Sequence, residues 1–324
     1  MPIDEHVEAA FFRSGYLLEQ RVEAVCVDAG MEVHANLPLR DSTTGKQRET
    51  DLIAKWREKR QADRIWERPG HGASLLIECV RSDTPLVFME KPARFVECAW
   101  VPALFGCPLY LPDPQNPNGF FRLEDEAEVS WCTTLNTVAT QWHAFERKVG
   151  DKPLVASQRH DIYSTFEKLI QRAEEVADLT MPPDMIQAAF LGGWLIFVRP
   201  VLVVEGDLYV SVLKDGAQRL EERRHVHYLR TSLPRDQQVL WVIDVVTECE
   251  LPAYLSNLRR KIETVERFCL ENAQLVQDAL HNDSAQQLTM RVRPHLSQGR
   301  VHVPRSSSRQ QPSSGDSATT ALSK

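Results

Sequence analysis

Apolar residues recur at helical spacing from about Glu5 to Ala29. Phe11, Tyr16, Leu18, Val22, Val25 and Cys26 form a stripe, and Gly30 is a natural stop. Met31 to Leu39 then reads as a strand. The polar turn Asp41 to Lys46 leads into a second strand, Arg48 to about Trp56. After a charged connector, Ala73 to Val80 is a strongly apolar strand, and Leu86 to Met89 keeps the β character beyond Ser82-Asp83-Thr84-Pro85. Ser130 to Lys148 and Asp161 to Ala177 read as helices, the second with Ile162, Phe166, Leu169, Ala173 and Val176 on one face. Trp194 to Val204 reads as a buried strand, Asp207 to Leu213 and Gln238 to Val246 as further strands, with a paired strand near His225 to Leu229. Leu251 to about Leu280 is a long amphipathic helix. The opening order helix–strand–strand–strand–helix–strand predicts an α/β/α sandwich.

Two stretches break this pattern. Residues 92–128 are rich in proline and aromatics without a clear period, and read as an irregular insertion within a domain spanning residues 1–285. Residues 290–324 turn to Ser, Gln, Arg and Pro. There six cations (Arg291, Arg293, Arg300, Arg305, Arg309 and Lys324) face the single acid Asp316, which predicts a disordered basic tail.

Composition narrows the class without naming a chemistry. The 324 residues are 43% hydrophobic and 26% charged, as in a water-soluble globular protein. A formal net charge of −7 gives no global basic signature, although an acidic protein can still concentrate cations in one cleft. The seven cysteines are scattered and form no C-x-x-C pair, so neither a zinc knuckle nor a disulfide framework is indicated. The longest apolar run, Leu191 to Val204, is broken by Arg199-Pro200 and is too short to span a bilayer. A cytoplasmic protein without a membrane partner is the expectation.

Candidate chemistry lies in Arg48-Glu49-Thr50-Asp51-Leu52-Ile53-Ala54 and Leu75-Leu76-Ile77-Glu78-Cys79-Val80-Arg81. Strand alternation places Asp51 with Ile53, and Glu78 with Val80. If the two strands pair, the carboxylates converge on one hard divalent cation. Mg²⁺ (or Mn²⁺) suits such a site, with the Cys79 carbonyl able to complete the protein ligands. Glu78 sits in an apolar run where an uncompensated carboxylate is costly to bury, so a metal, another cation or an arginine must answer it, and Arg48 is one partner.

Together with Gly15-Tyr16-Leu17-Leu18-Glu19 on the first helix and the Thr44-Gly45-Lys46-x-Arg48-Glu49-x-Asp51 hairpin, these motifs resemble the PD-(D/E)XK nuclease superfamily, specifically its bacterial restriction-endonuclease-like members. The resemblance covers about Glu8 to Phe88. It implies a restriction-endonuclease-like α/β/α sandwich with a central mixed sheet and a Mg²⁺-dependent endonuclease acting on DNA. Asp51 and Glu78 would be metal ligands and Glu19 a supporting carboxylate. The family's lysine two residues after the glutamate is here Val80, which can neither carry charge nor donate a hydrogen bond. Arg81 alternates to the opposite face, and Lys55 lies roughly 13 Å along its strand from Asp51. Some members of the superfamily supply the lysine from another element, and Lys168 on the later helix is the first substitute, with Arg172 a second. The site is therefore expected to be non-standard or weakened. The competing expectation is an inactive nuclease-fold module that binds nucleic acid, a protein partner or a second copy of itself.

His225 and His227 share a strand face and could chelate a metal. No third ligand is evident along the chain, so they read as an exposed strand pair.

Overall fold

The two most apolar runs of the sequence become parallel neighbours at the heart of a large mixed sheet. The computed structural model describes residues 16–40, 47–57, 70–92, 104–105, 110–113, 116–122, 137–147, 154–157, 159–180, 194–214, 216–232, 239–272 and 274–275. Helix α1 (Tyr16–Asp28) leads into the antiparallel strands β1 (Glu32–Arg40), β2 (Gln47–Arg57) and β3 (Gly70–Arg81), and then β4 (Leu86–Pro92). Short strands β5 (Leu104–Phe105), β6 (Tyr110–Asp113) and β7 (Asn116–Arg122) precede β8 (Thr137–Arg147) and β9 (Leu154–Ser157). Helix α2 (His160–Thr180) is followed by β10 (Trp194–Glu205), β11 (Leu208–Lys214), β12 (Ala217–Glu222), β13 (His225–Ser232) and β14 (Val239–Thr247). A 3₁₀ turn at Glu248–Glu250 opens helix α3 (Leu251–Glu271).

The strand order is β1-β2-β3-β10-β14-β13-β8-β4-β11-β12, with β5 and β9 attached to β10 and β8. β3 and β10 pair in parallel along their whole lengths, from Trp194↔Gly70 to Glu205↔Arg81. Apolar side chains on the two faces feed separate cores. One gathers Leu18, Val22 and Cys26 of α1, Leu75 and Ile77 of β3, Val201 and Val203 of β10, and Leu255 and Leu258 of α3. The other gathers Leu76, Leu202 and Val204 with Ile162, Phe166, Leu169 and Ala173 of α2. The fold is thus mixed α/β, with few helices and one large mixed sheet covered on both faces.

Local chemistry explains the boundaries. α1 stops where Gly30, at φ 80°, takes the left-handed turn, while Gly30 N–H and Met31 N–H donate to the Val27 and Cys26 carbonyls in a Schellman closure. Trp56 Nε1 donates to the Ala29 carbonyl at 3.0 Å, tying that end to β2. α2 is seated by aromatic packing: the Phe166 ring lies 4.7 Å from Tyr228 and 5.7 Å from Trp142, centroid to centroid.

Two expectations are corrected here. The helix read at Ser130 to Lys148 is, over its described part, strand β8. It lies between β4 and β13, and from Gln141 onward burial alternates residue by residue, with Trp142 and Ala144 inward. Its helix-compatible composition yields to backbone pairing on both sides. Within 92–128, the described residues include an antiparallel β6–β7 hairpin and β5 on the main sheet, so the insertion contains order that its composition hides. β12 was not anticipated either, because its side chains are almost all exposed and show no alternation. The basic tail and the Asp41–Lys46 turn lie outside the described residues. No helix among the described residues is long and apolar enough to cross a membrane.

The turns after β3 and β10 run side by side. Ser82 N–H donates to the Glu205 carbonyl and Leu86 N–H to the Asp207 carbonyl, each at 2.9 Å. Between them Gly206 has φ 150°, and a Cβ there would lie 2.5 Å from the Ser82 carbonyl oxygen. Neither backbone can retreat without breaking one of these bonds. Gly206→Ala is expected to lower stability by about 2 kcal/mol or more, read from the denaturant midpoint. An unchanged midpoint would show that the two turns are not held together.

Candidate functional site

β2 and β3 pair antiparallel, and their registered pairs end at Leu52↔Ile77. One step further along this register sets Asp51 opposite Glu78, so both carboxylates face the side of the sheet covered by α2. Where the ladder ends, the Cys79 N–H donates to Asp51 Oδ2 at 2.8 Å, a side-chain bond in place of a backbone one. Glu78 is almost completely enclosed, with 2% of its side chain exposed.

Lys168 enters from α2. Its Nζ makes an ion pair with Glu78 Oε2, lies 3.9 Å from Asp51 Oδ1, and donates to the Glu49 carbonyl at 3.3 Å. Side chains from β2, β3 and α2 therefore converge at one point. The other candidate cations are engaged elsewhere. Arg172 pairs with Glu175 one turn along its helix, and Arg81 faces Asp83 and Glu205. The side chain of Arg48 lies outside the described residues.

Burial governs the electrostatics. The Glu78 carboxyl is pushed from 4.5 up to about 8, first by desolvation and then by the Asp51 charge, while Lys168 draws it back only in part. Asp51 is also raised by burial, against the Cys79 amide and Lys168. Glu19, on the first turn of α1, is raised by burial and by Asp51 and lowered by Lys168, so it belongs to the same electrostatic cluster. The Cys79 thiol is pushed far up by burial and by the surrounding acids, which disfavours its thiolate. Glu78 Oε1 is buried and has no hydrogen-bond partner among the described residues. An orphaned carboxylate oxygen beside a second carboxylate fits a hard divalent cation better than a closed structural ion pair.

No protein-family model, no curated protein and no solved structure matches the chain.

Reading the chain alone left one cluster out. His225 and His227 do have a third neighbour: Asp244 stands directly across from His227 in the β13–β14 ladder. The signal was present in Leu240-Trp-Val-Ile-Asp-Val-Val246, a carboxylate inside a buried strand, as Glu78 is. This cluster lies on the opposite face of the sheet, under α3.

The sign of the Glu78 shift makes it testable. A carboxyl that ionises near 4.5 unfolded but near 8 folded binds more protons in the folded chain between those values. Stability is therefore lost as pH rises through that window. In chelator, the wild type is expected to lose stability from about pH 5 to pH 8 relative to Glu78→Gln, measured by denaturant unfolding. Parallel curves would remove the case for a destabilised buried carboxyl.

Proposed function

We propose that the chain is a PD-(D/E)XK-like, metal-dependent phosphodiesterase acting on DNA, in which Lys168 of α2 replaces the lysine missing at Val80. The observation that carries this reading is the ion pair of Lys168 Nζ with Glu78, 3.9 Å from Asp51 as well. The three groups the chemistry needs, two carboxylates and a cation, stand together although the motif supplies only two of them. A sheet covered on both faces by helices is compatible with the restriction-endonuclease-like sandwich. The DNA substrate rests on the resemblance of the helix and hairpin motifs.

In this reading Asp51 and Glu78 would hold Mg²⁺ or Mn²⁺, aided by the Cys79 main-chain carbonyl. The ion, when bound, would acidify a ligated water and offset charge on the phosphoryl oxygens. Glu78 must give up its proton to become a ligand, and its raised pKa makes that step sensitive to pH. Lys168 is 23% exposed, enough for its ammonium to move from the carboxylates toward an incoming phosphate or water while the Glu49 carbonyl holds its approach. Glu19 adds negative charge at the rim and limits how far Lys168 strays.

The test is cleavage of plasmid and of single- and double-stranded oligonucleotides with Mg²⁺ or Mn²⁺. Asp51→Ala and Lys168→Ala should each reduce cleavage by roughly 10²–10⁴-fold, the range for removing an acid–base or positioning group. Adding Val80→Lys to Lys168→Ala should restore part of the loss, because residue 80 shares Glu78's face of β3. If wild type and Val80→Lys are both inert while folded and metal-loaded, the enzyme reading fails and a non-catalytic binding module takes its place.

A further inference from the structure

On the face of the sheet away from Lys168, a second polar cluster is built around Asp244, whose side chain is 2% exposed. Its two oxygens have different tasks. Oδ2 accepts from the Tyr254 hydroxyl at 2.7 Å and faces Arg199 Nε at 3.5 Å, which anchors the carboxylate from α3 and β10. Oδ1 faces His227 Nδ1 at 2.6 Å and His225 Nε2 at 3.4 Å. The two imidazoles come from alternate positions of β13 and stack edge to face, 4.4 Å between centroids. They are 30% and 23% exposed, so the cluster opens to solvent on their side.

We propose that His225, His227 and Asp244 form a binding site for a divalent transition metal of the Zn²⁺ type. The ligand atoms His225 Nε2, His227 Nδ1 and Asp244 Oδ1 all lie within 4.8 Å of one another. Tetrahedral ligation with bonds of about 2.0–2.1 Å sets neighbouring ligand atoms about 3.3–3.4 Å apart. The His225–Asp244 separation already has this length. The His227–Asp244 hydrogen bond must open by less than about 1 Å, and the imidazole must shift to its Nε2–H tautomer by exchange with solvent, so that the Nδ1 lone pair faces the metal. Two imidazole nitrogens and one carboxylate oxygen select Zn²⁺, Co²⁺ or Ni²⁺ over Mg²⁺, so this site and the carboxylate pair across the sheet take different ions.

Two further features suit a metal. Asp244 is fixed on its Oδ2 side by the Tyr254 hydroxyl and Arg199, which turns Oδ1 toward the histidines. The two imidazoles bring ring nitrogens to Asp244 Oδ1 from alternate positions of β13, which fixes their spacing. Arg199 offsets the charge of Asp244 from the Oδ2 side. Three protein ligands and a solvent-facing side leave a fourth position for water, the pattern of an open rather than a closed zinc site.

The experiment uses the full chain, stripped with chelator and dialysed. Zn²⁺ is titrated calorimetrically, and Co²⁺ is followed by its visible ligand-field absorption. The expected result is one equivalent of either ion, with tetrahedral-type Co²⁺ bands and a thermal midpoint that rises with Zn²⁺. His225→Ala, at the exposed edge, should weaken Zn²⁺ binding roughly 10–100-fold or more while leaving the far-ultraviolet circular dichroism unchanged. His227→Ala should act likewise, and Glu78→Gln should leave Zn²⁺ affinity unchanged, which separates this site from the proposed nuclease site. Absence of saturable binding by the wild type, or binding unaltered in both histidine variants, overturns the proposal.

Discussion

A carboxylate placed inside a sheet strand constrains everything around it. Glu78 occupies the middle of an apolar run on β3, with β2 on one side, β10 on the other and α2 above. Leaving such a group ionised without a partner costs several kcal/mol or more. A cation must therefore reach it, and among the described residues neither flanking strand supplies one: the positions beside it on its own face are Leu76 and Val80, and its register neighbour on β10 is Leu202. The charge has to come from the covering helix. α2 can deliver Lys168 only if its depth and rotation are fixed, and the packing of Phe166 against Trp142, Tyr228 and Phe88 does that. The far half of the sheet, which carries those rings on β8, β13 and β4, thus positions a side chain on its near half.

The same sheet buries a second carboxylate and treats it differently. Asp244 receives a guanidinium, a phenol and two imidazoles, and its pKa falls well below the ordinary value. Glu78 is desolvated beside a like-charged neighbour, with one ammonium and the Asp51 amide as its partners, and its pKa rises. Burial is nearly equal, so the difference lies in the number and sign of partners. Asp244 is satisfied as an anion; Glu78 is not, and one of its oxygens has no donor among the described residues. A structural ion pair would be expected to look like the former. The latter is a pattern met more often at functional sites than in structural ion pairs.

How much of this could be read along the chain follows from the range of each signal. Strands β2, β3 and β10 and helix α2 declare themselves because burial on a regular period is a local pattern, and the carboxylates declare themselves because charge is conspicuous within it. Lys168 could be nominated from the absence at Val80, yet only packing decides that Lys168 rather than Arg172, one turn on, meets the carboxylates. Strand β8 could not be recognised, since Gln141, Trp142 and His143 are as tolerable in a helix, and the decision belongs to partners on β4 and β13 that are distant in sequence. Asp244 escaped notice as a partner of His227 for the same reason: a cross-strand neighbour is set by register, and register is set by the whole sheet.

The two clusters also divide the consequences of that register. A one-residue slip of β14 against β13 would turn Asp244 toward the α2 core and leave Arg199 buried without its anion, so pairing in this half of the sheet is policed by charge as well as by apolar burial. In the other half, a slip of β2 against β3 would carry Asp51 off Glu78's face and release the Cys79 amide. Lys168 would then have one carboxylate to meet instead of two. The carboxylates that make this molecule chemically interesting are therefore also what makes its strand register specific, and substitutions at either are to be judged for both effects.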